Sequence, residues 1–319
     1  MKKNINRILS ILLIGQLALI AIFYWPGKEK KTAPTELVTG LNAESVRELT
    51  ITDDEGKTLA LAKDNTGQWQ VNSATPLPLP ADGKQMERTI ASLTSLQSQR
   101  LVTRTRASHV RLQVDDHVFS RKITLRGEKD KSSTLFLGTT PGQQTTHVRA
   151  QGSDDVYLAR GISAWELITD QDSWIAKEYV AIDREKLQEV RLTNGHGSLT
   201  LIREQGNWRL AGADEASSAV AEDAVDALLQ RATRLTLHEY LGKDKPTDAL
   251  DAATLTLVAE GQTVTVDIGS GRKDHDNFHV AKSSASPFYV TVSDYQIKPL
   301  LDMTKESLAA PKKPEPEQK

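Results

Sequence analysis

Two short stretches share one form: Gly67-Gln68-Trp69-Gln70-Val71 and Gly206-Asn207-Trp208-Arg209-Leu210. Each sets a Gly two residues before a Trp and an aliphatic residue two after it, and the two Trp lie 139 positions apart. Upstream, VRELTITDDEGKTLALAKD resembles LQEVRLTNGHGSLTLIRE. Both alternate apolar and polar residues, break at a Gly-containing turn and alternate again, the period of two that marks strands with one buried face. DEGK and NGHG supply the hairpin turns, and the two loops differ by two residues, at a place where insertions are tolerated.

Downstream of each Trp a polar loop leads into an amphipathic helix. In DGKQMERTIASLTSL, Asp82 is the expected N-cap and Met86, Ile90, Leu93 and Leu96 form the apolar stripe; in AEDAVDALLQRATRL the stripe is Val225, Leu228, Leu229 and Leu235. Two hairpins follow each helix. RKITLRGEKDKSSTLFLGTT parallels ATLTLVAEGQTVTVDIGSG, with Leu137-Gly138 matching Ile268-Gly269, and THVRAQGSDDVYLAR parallels NFHVAKSSASPFYVTV. A closing helix is expected in each copy, over ISAWELI and SWIAKEY in the first and SDYQIKPLLDM in the second.

The expected class is therefore α+β, with two tandem repeats of antiparallel hairpins packed on helices. The first spans residues 45–180 and the second 181–303, joined near KEYVAIDREK. The structural markers of the repeat are Gly67, Trp69, Gly138 and Tyr157 in the first copy, and Gly206, Trp208, Gly269 and Tyr289 in the second. A Trp kept at one structural point in both copies reads as core packing across the helix; an indole that grips a ligand is the rival reading.

The chain opens with a seven-residue tail carrying Lys2, Lys3 and Arg7, followed by ILSILLIGQLALIAIFYW over residues 8–25. Eighteen helical residues rise about 27 Å, close to the hydrocarbon thickness of a bilayer. Tyr24 and Trp25 suit the interface, and bulky residues stand where a signal peptidase needs small ones, so an uncleaved anchor is expected over a cleaved signal. The basic tail favours a cytoplasmic N-terminus, although Lys28, Lys30 and Lys31 follow the span. This places the rest outside the bacterial inner membrane, in the periplasm, on a polar linker (26–44). A Pro- and charge-rich tail (304–319) is expected to be disordered.

The chain has no Cys, which excludes disulfides, thiolate metal sites, a Cys nucleophile and an acylated-Cys lipoprotein anchor. A net charge of -2 gives no electrostatic reason to expect nucleic acid as a partner. The densest His cluster, Asp274, His275, Asp276 and His279, reads as a hairpin loop entering a strand. Residues four apart on a strand are about 13 Å apart, too far for one ion. His238-Glu239 lacks the second His of a zincin, and neither G-x-S-x-G nor a phosphate-loop motif occurs. The pairs Asp53-Asp54, Asp115-Asp116 and Asp154-Asp155 fall in expected turns, where Asp is common for backbone reasons. RLVTRTRASHVR (100–111) is basic without interleaved aromatics and reads as a solvated strand edge. No catalytic, cofactor-binding or metal-binding residue is singled out, and no cofactor is expected.

A membrane segment ahead of duplicated Trp units resembles an uncharacterised envelope domain family whose members accompany gliding-motility-type ABC transporters as an auxiliary component. The likeness runs over residues 45 to 303. It is carried by the two Trp stretches, by Leu137-Gly138, His147-Val148-Arg149 and Val156-Tyr157-Leu158, and by SWIAKEYVAI between the copies. The YGL-x-x-P turn of many members is reduced to YLGKDKP (240–246) in copy two and is replaced by ASHVRLQVDD in copy one. The resemblance implies a non-enzymatic extracytoplasmic accessory protein. Its partners would be the membrane, through residues 8–25, and a membrane protein such as an ABC transporter permease. An envelope hydrolase or polysaccharide-processing enzyme, or a structural scaffold, is the alternative.

Overall fold

In chain order the elements are β1 (Val46–Asp53), β2 (Thr58–Lys63), β3 (Trp69–Asn72), β4 (Leu79–Pro80), α1 (Gly83–Thr94), β5 (Ser98–Thr103), α2 (Arg106–Arg111), β6 (Arg121–Gly127), β7 (Ser132–Leu137), β8 (Thr145–Ala150), β9 (Val156–Arg160) and β10 (Glu178–Ala181). They continue as β11 (Leu187–Asn194), β12 (Gly197–Glu204), β13 (Asn207–Leu210), α3 (Glu222–Ala232), β14 (Arg234–Thr236), β15 (Glu239–Gly242), β16 (Ala253–Ala259), β17 (Gln262–Arg272), β18 (His275–Ser283), β19 (Tyr289–Ser293), α4 (Asp294–Leu301) and α5 (Lys305–Leu308). This computed structural model describes residues 36–72, 77–212, 220–246, 250–272 and 275–309, with Leu13, Gly15 and Gln16. The anchor expected over 8–25 lies outside the described residues but for those three. Among the described residues no helix is long and apolar enough to cross a membrane. Residues 310–319 of the expected tail also lie outside them.

The protein is a mixed structure of mostly antiparallel sheets with few helices. One sheet runs β4-β3-β2-β1-β6-β7-β8-β9-β5 and the other β13-β12-β11-β16-β17-β18-β19-β15; a two-stranded ribbon pairs β10 with β14. From β3 to β9 and from β13 to β19 the strand order is the same, and in each sheet a strand that follows the helix closes the far edge. The chain divides into two compact units, one of the residues up to Thr58 with Arg88–Thr169, the other of Leu59–Glu87 with the residues from Asp170 onward.

The alternation seen in the sequence becomes burial. Leu49 and Ile51 of β1, and Val190 and Leu192 of β11, point inward and are fully buried. Each such side chain removed from water contributes roughly 1.5–3 kcal/mol. Helix α1 buries Met86, Ile90 and Leu93, and α3 buries Val225, Leu228, Leu229 and Ala232. Leu96 and Leu235 are buried too, but beyond the helix ends, Leu235 on β14. The β1–β2 loop is two residues longer than the β11–β12 loop, as the sequence implies.

Four expectations need correction. The first copy has no closing α-helix: ISAWELI and SWIAKEY give single 3-10 turns at Ala164–Glu166 and Gln171–Ser173, then strand β10. Local polar groups hold that backbone out of a helix. The Asp170 carboxylate accepts from Ser173 N, Arg121 Nε donates to Leu167 O, and Thr169 Oγ1 donates to Asp53. The end of the linker is packed, because Leu37, Val38 and Leu41 are buried and Leu37 N donates to Leu96 O at 3.2 Å. The start of the tail is ordered as α5, with a Thr304–Ser307 capping box and a fully buried Leu308. The basic stretch 100–111 is an edge strand only as far as Thr103; Arg106–Arg111 is α2.

Candidate functional site

Each Trp enters its strand from a turn that needs a left-handed residue two positions earlier, which Gly67 (φ 84) and Gly206 (φ 89) supply. The first turn is long and is organised by Asp64, whose carboxylate accepts from Thr66 N, Gln68 N and Gln70 Nε2. The second is a two-residue loop, Gln205-Gly206, with both φ positive, the geometry that suits the twist of a hairpin. Both Trp lie on strands, as expected. Trp69 is buried, with Lys63 Nζ 5.2 Å from its ring centre. Trp208 is half-buried and packs on the core of the second sheet.

Trp208 also lines a cavity of 940 Å³ with Asn207, Arg203, Val220, Val225 and Asp226. The cavity beside Trp69 measures 370 Å³ and is lined by Gln68, Pro80, Ala81 and Glu87 among others. At the spacing of 139, Gln68 corresponds to Asn207, Ala81 to Val220 and Glu87 to Asp226. The two cavities occupy corresponding places, and the counterparts of Leu79 and Pro80 beside the larger one, Ser218 and Ala219, lie outside the described residues. Beside Trp69, β4 pairs with β3, and Ala81 N donates to Trp69 O at 2.9 Å. The far side of that segment is closed as well: Ala176 N donates to Pro80 O at 2.9 Å and Asp82 N to Trp174 O at 2.8 Å. Beside Trp208, Val220 bridges to Ala309 and Ala221 N donates to Leu308 O at 2.9 Å. Among the described residues nothing pairs with the outer edge of β13.

The rim of the larger cavity carries paired charges. Arg184 forms an ion pair with Asp226 of α3, and Arg203 Nη1 donates to Glu185 O at 2.8 Å. The described lining thus offers one aromatic face and hydrogen-bonding groups of both kinds, a set suited to holding a ligand.

The remaining markers have structural places. A Cβ on Gly138 would lie 1.9 Å from Leu112 O, so only Gly fits beneath that loop. The Gly269 carbonyl lies 2.9 Å from Nδ1 of the buried His279, whose Nε2 lies 2.9 Å from Asp294 Oδ1. Both ring nitrogens of His279 are therefore engaged by protein oxygens. Asp274 lies outside the described residues. Among the described residues no three His, Asp or Glu are grouped to hold a metal ion. Tyr157 donates its hydroxyl to Asp155 Oδ2 at 2.9 Å; burial, helped by that carboxylate, pushes the phenol up. Tyr289 is half-buried, with Lys282 Nζ 5.6 Å from its ring centre. Burial pushes the His147 imidazole down, against a hydrogen bond to Thr139 O.

Of the three Asp pairs, Asp53 closes its hairpin turn by accepting from Glu55 N and Lys57 N. Asp116 is held below the usual carboxylate range by a hydrogen bond from the buried Arg149. Asp154 and Asp155 pair with Arg106 and Arg104. The sequence missed the cavity because its lining comes from elements far apart in the chain. One signal was present: TPLPLPAD follows the first Trp strand, where GADEASSAV follows the second.

Fold and site together define a mixed protein whose two sheets each carry a Trp strand next to a helix. Residues 69–255, more than half of the chain, match the family described as Domain of unknown function (DUF4340), and the chain belongs to that family. No curated protein and no solved structure matches it.

Proposed function

We propose that this protein is a single-pass, membrane-anchored extracytoplasmic accessory component of an ABC-type transport system in the bacterial inner membrane, and that it works by binding a partner, without catalysis of its own. The apolar run from Ile8 to Trp25 supports the anchor. The common strand order of the two sheets supports tandem repeats of one antiparallel unit on a helix. The observation that carries the binding role is the cavity on Trp208: its described walls present an aromatic face and paired charges that can meet a partner surface. An anchor raises the local concentration of a membrane partner and offsets modest affinity at such a surface.

The test is site-specific photo-crosslinking in cells. A crosslinking side chain replaces Arg209, beside the cavity, in the full-length protein, and adducts are recovered from the membrane fraction. The expected product contains a permease subunit. Adducts to cytosolic proteins alone, or no protein adduct from any position around the cavity, would overturn the proposal.

A further inference from the structure

We propose that Trp165 and Ile168 form a membrane-docking patch, which seats one end of the first sheet on the outer face of the bilayer that holds the anchor. This rests on the reading of residues 8–25 as that anchor. After β9 the chain crosses this end of the sheet, between Arg160 and Thr169. Arg121 Nε, at the start of β6, donates to Leu167 O at 2.7 Å, and Thr169 Oγ1 donates to Asp53 at the end of β1. Ile162, Ala164 and Leu167 are buried, whereas Trp165 is 68% exposed and Ile168 44%. A crossing that met only water would set polar side chains opposite its buried ones; this one is apolar on both sides. Its 3-10 turn is closed by Glu166 N donating to Ser163 O at 3.1 Å and Leu167 N to Ala164 O at 3.2 Å. The backbone is thus fixed on both flanks, and the indole is held outward.

The place where the tether enters says what the patch meets. Glu36 bridges to Gln97, next to the start of β5, and Ser98 of β5 lies opposite Ala159 of β9. The register carries this row across the sheet. Thr145 lies opposite Arg160, Leu137 opposite Val148, Arg121 opposite Leu137 and Asp53 opposite Arg121. The chain therefore enters at the end of the sheet that Trp165 caps. Only residues 26–35 separate Trp25 from Glu36, a reach of at most about 36–40 Å. Strand β1, of eight residues, spans about 27 Å, so the end with Trp165 is the one held nearest the bilayer. Residues 26–35 contain no aromatic residue and no Leu, Ile or Val that would suit an indole. Trp favours the headgroup level of a bilayer, where its ring meets both apolar and polar surroundings. Burial rather than charge supplies the attraction. The Arg121 guanidinium is already engaged by Ser120 O, Leu167 O and, at 3.5 Å, Asp54, and Glu166 beside the indole is acidic. Two side chains bind an interface weakly, and the tether makes that contact effective by keeping it local.

The chain has no Cys, so one introduced Cys takes a nitroxide label at a single place. Full-length protein in phosphatidylcholine nanodiscs is labelled, in separate samples, at Leu13→Cys in the anchor, Ile168→Cys in the patch and Lys131→Cys at the opposite end of the sheet. Power saturation of the EPR signal compares collisions with oxygen, which concentrates in lipid, and with a water-soluble nickel chelate. The oxygen-to-nickel ratio is expected to be highest at Leu13 and several-fold higher at Ile168 than at Lys131. Adding Trp165→Ala should return the Ile168 label to the Lys131 value, with an unchanged thermal midpoint because Trp165 is mostly exposed. A water-like ratio at Ile168 beside a lipid-like one at Leu13 overturns the docking patch and leaves the anchor standing. Shielding of the Ile168 label from both reagents means that protein covers the patch, and overturns it as well. So does a Trp165→Ala change that leaves the Ile168 ratio where it was. A water-like ratio at Leu13 overturns the anchor and the patch together.

Discussion

The surroundings of Trp69 and Trp208 are corresponding places in two sheets with the same strand order. Around Trp69 the chain supplies its own extra strand, β4, and a further segment at Trp174 to Ala176 on the far side of it. Around Trp208 the further segment is present, at Leu308 and Ala309, but no described strand lies between it and β13. The two indoles differ in burial, Trp69 being buried and Trp208 half-buried, which gives the first the larger structural role. The largest expected effect tests this directly. Trp69→Ala removes a buried indole and costs about 3–5 kcal/mol, whereas Trp208→Ala, at a half-open site, costs about 1–2 kcal/mol. Equilibrium urea unfolding of the two variants measures both, and equal losses would remove the distinction.

The helices beside the two Trp strands differ in the same sense. Asp82 caps α1, its Oδ1 accepting from Gln85 N at 3.0 Å. The corresponding residue, Ala221, stands at the N-cap of α3 in extended conformation and offers no side-chain acceptor. Asp82→Ala is expected to lose about 1 kcal/mol, and Ala221→Asp to gain roughly 0.5–1 kcal/mol. The donation from Ala221 N to Leu308 O at 2.9 Å uses the backbone and survives the substitution. Thermal midpoints of the two variants check the pair. No gain from Ala221→Asp would show that Glu222 and Asp223 already satisfy the first turn.

Much of this architecture could be read in the sequence, because period-two alternation and helical stripes are local signals. The hairpins, the Asp82 cap and the buried stripe Met86, Ile90 and Leu93 all follow from it. What could not be read depends on distant partners. Strands β5 and β15 exist because β9 and β19 offer them edges. Thr169 is held out of a helix by Asp53, more than a hundred positions away. Leu308 is ordered by a core most of whose members lie far back in the chain. The cavity is the extreme case, since it is defined by a strand that pairs in one sheet and has no described counterpart in the other. The proline run before α1 was the one local clue.

The smallest expected effect separates the hairpins that lead to the two Trp. Asp53 ends β1 and Asn194 ends β11, and each ties its turn to a later segment. Asn194 does so as a neutral amide, donating to Leu300 O and Met303 O at 2.8 and 2.9 Å. Asp53 does so as a carboxylate. Burial pushes its carboxyl up, but the hydrogen bonds from Thr169, Lys57 and Glu55, with the charge of Arg121, outweigh that and hold it below 3.8. A carboxyl lowered by folding adds stability that is fully present above the unfolded value and disappears as pH falls through the folded one. Wild-type protein should therefore exceed Asp53→Asn in urea midpoint at neutral pH. The gap should narrow as pH falls below 3.8, since the other acids titrate alike in both proteins. Asn194→Ala, by contrast, should lower the midpoint by the same amount at neutral and at acid pH. A gap between wild type and Asp53→Asn that stays constant down to acid unfolding would show that the Asp53 turn is held by shape rather than by charge.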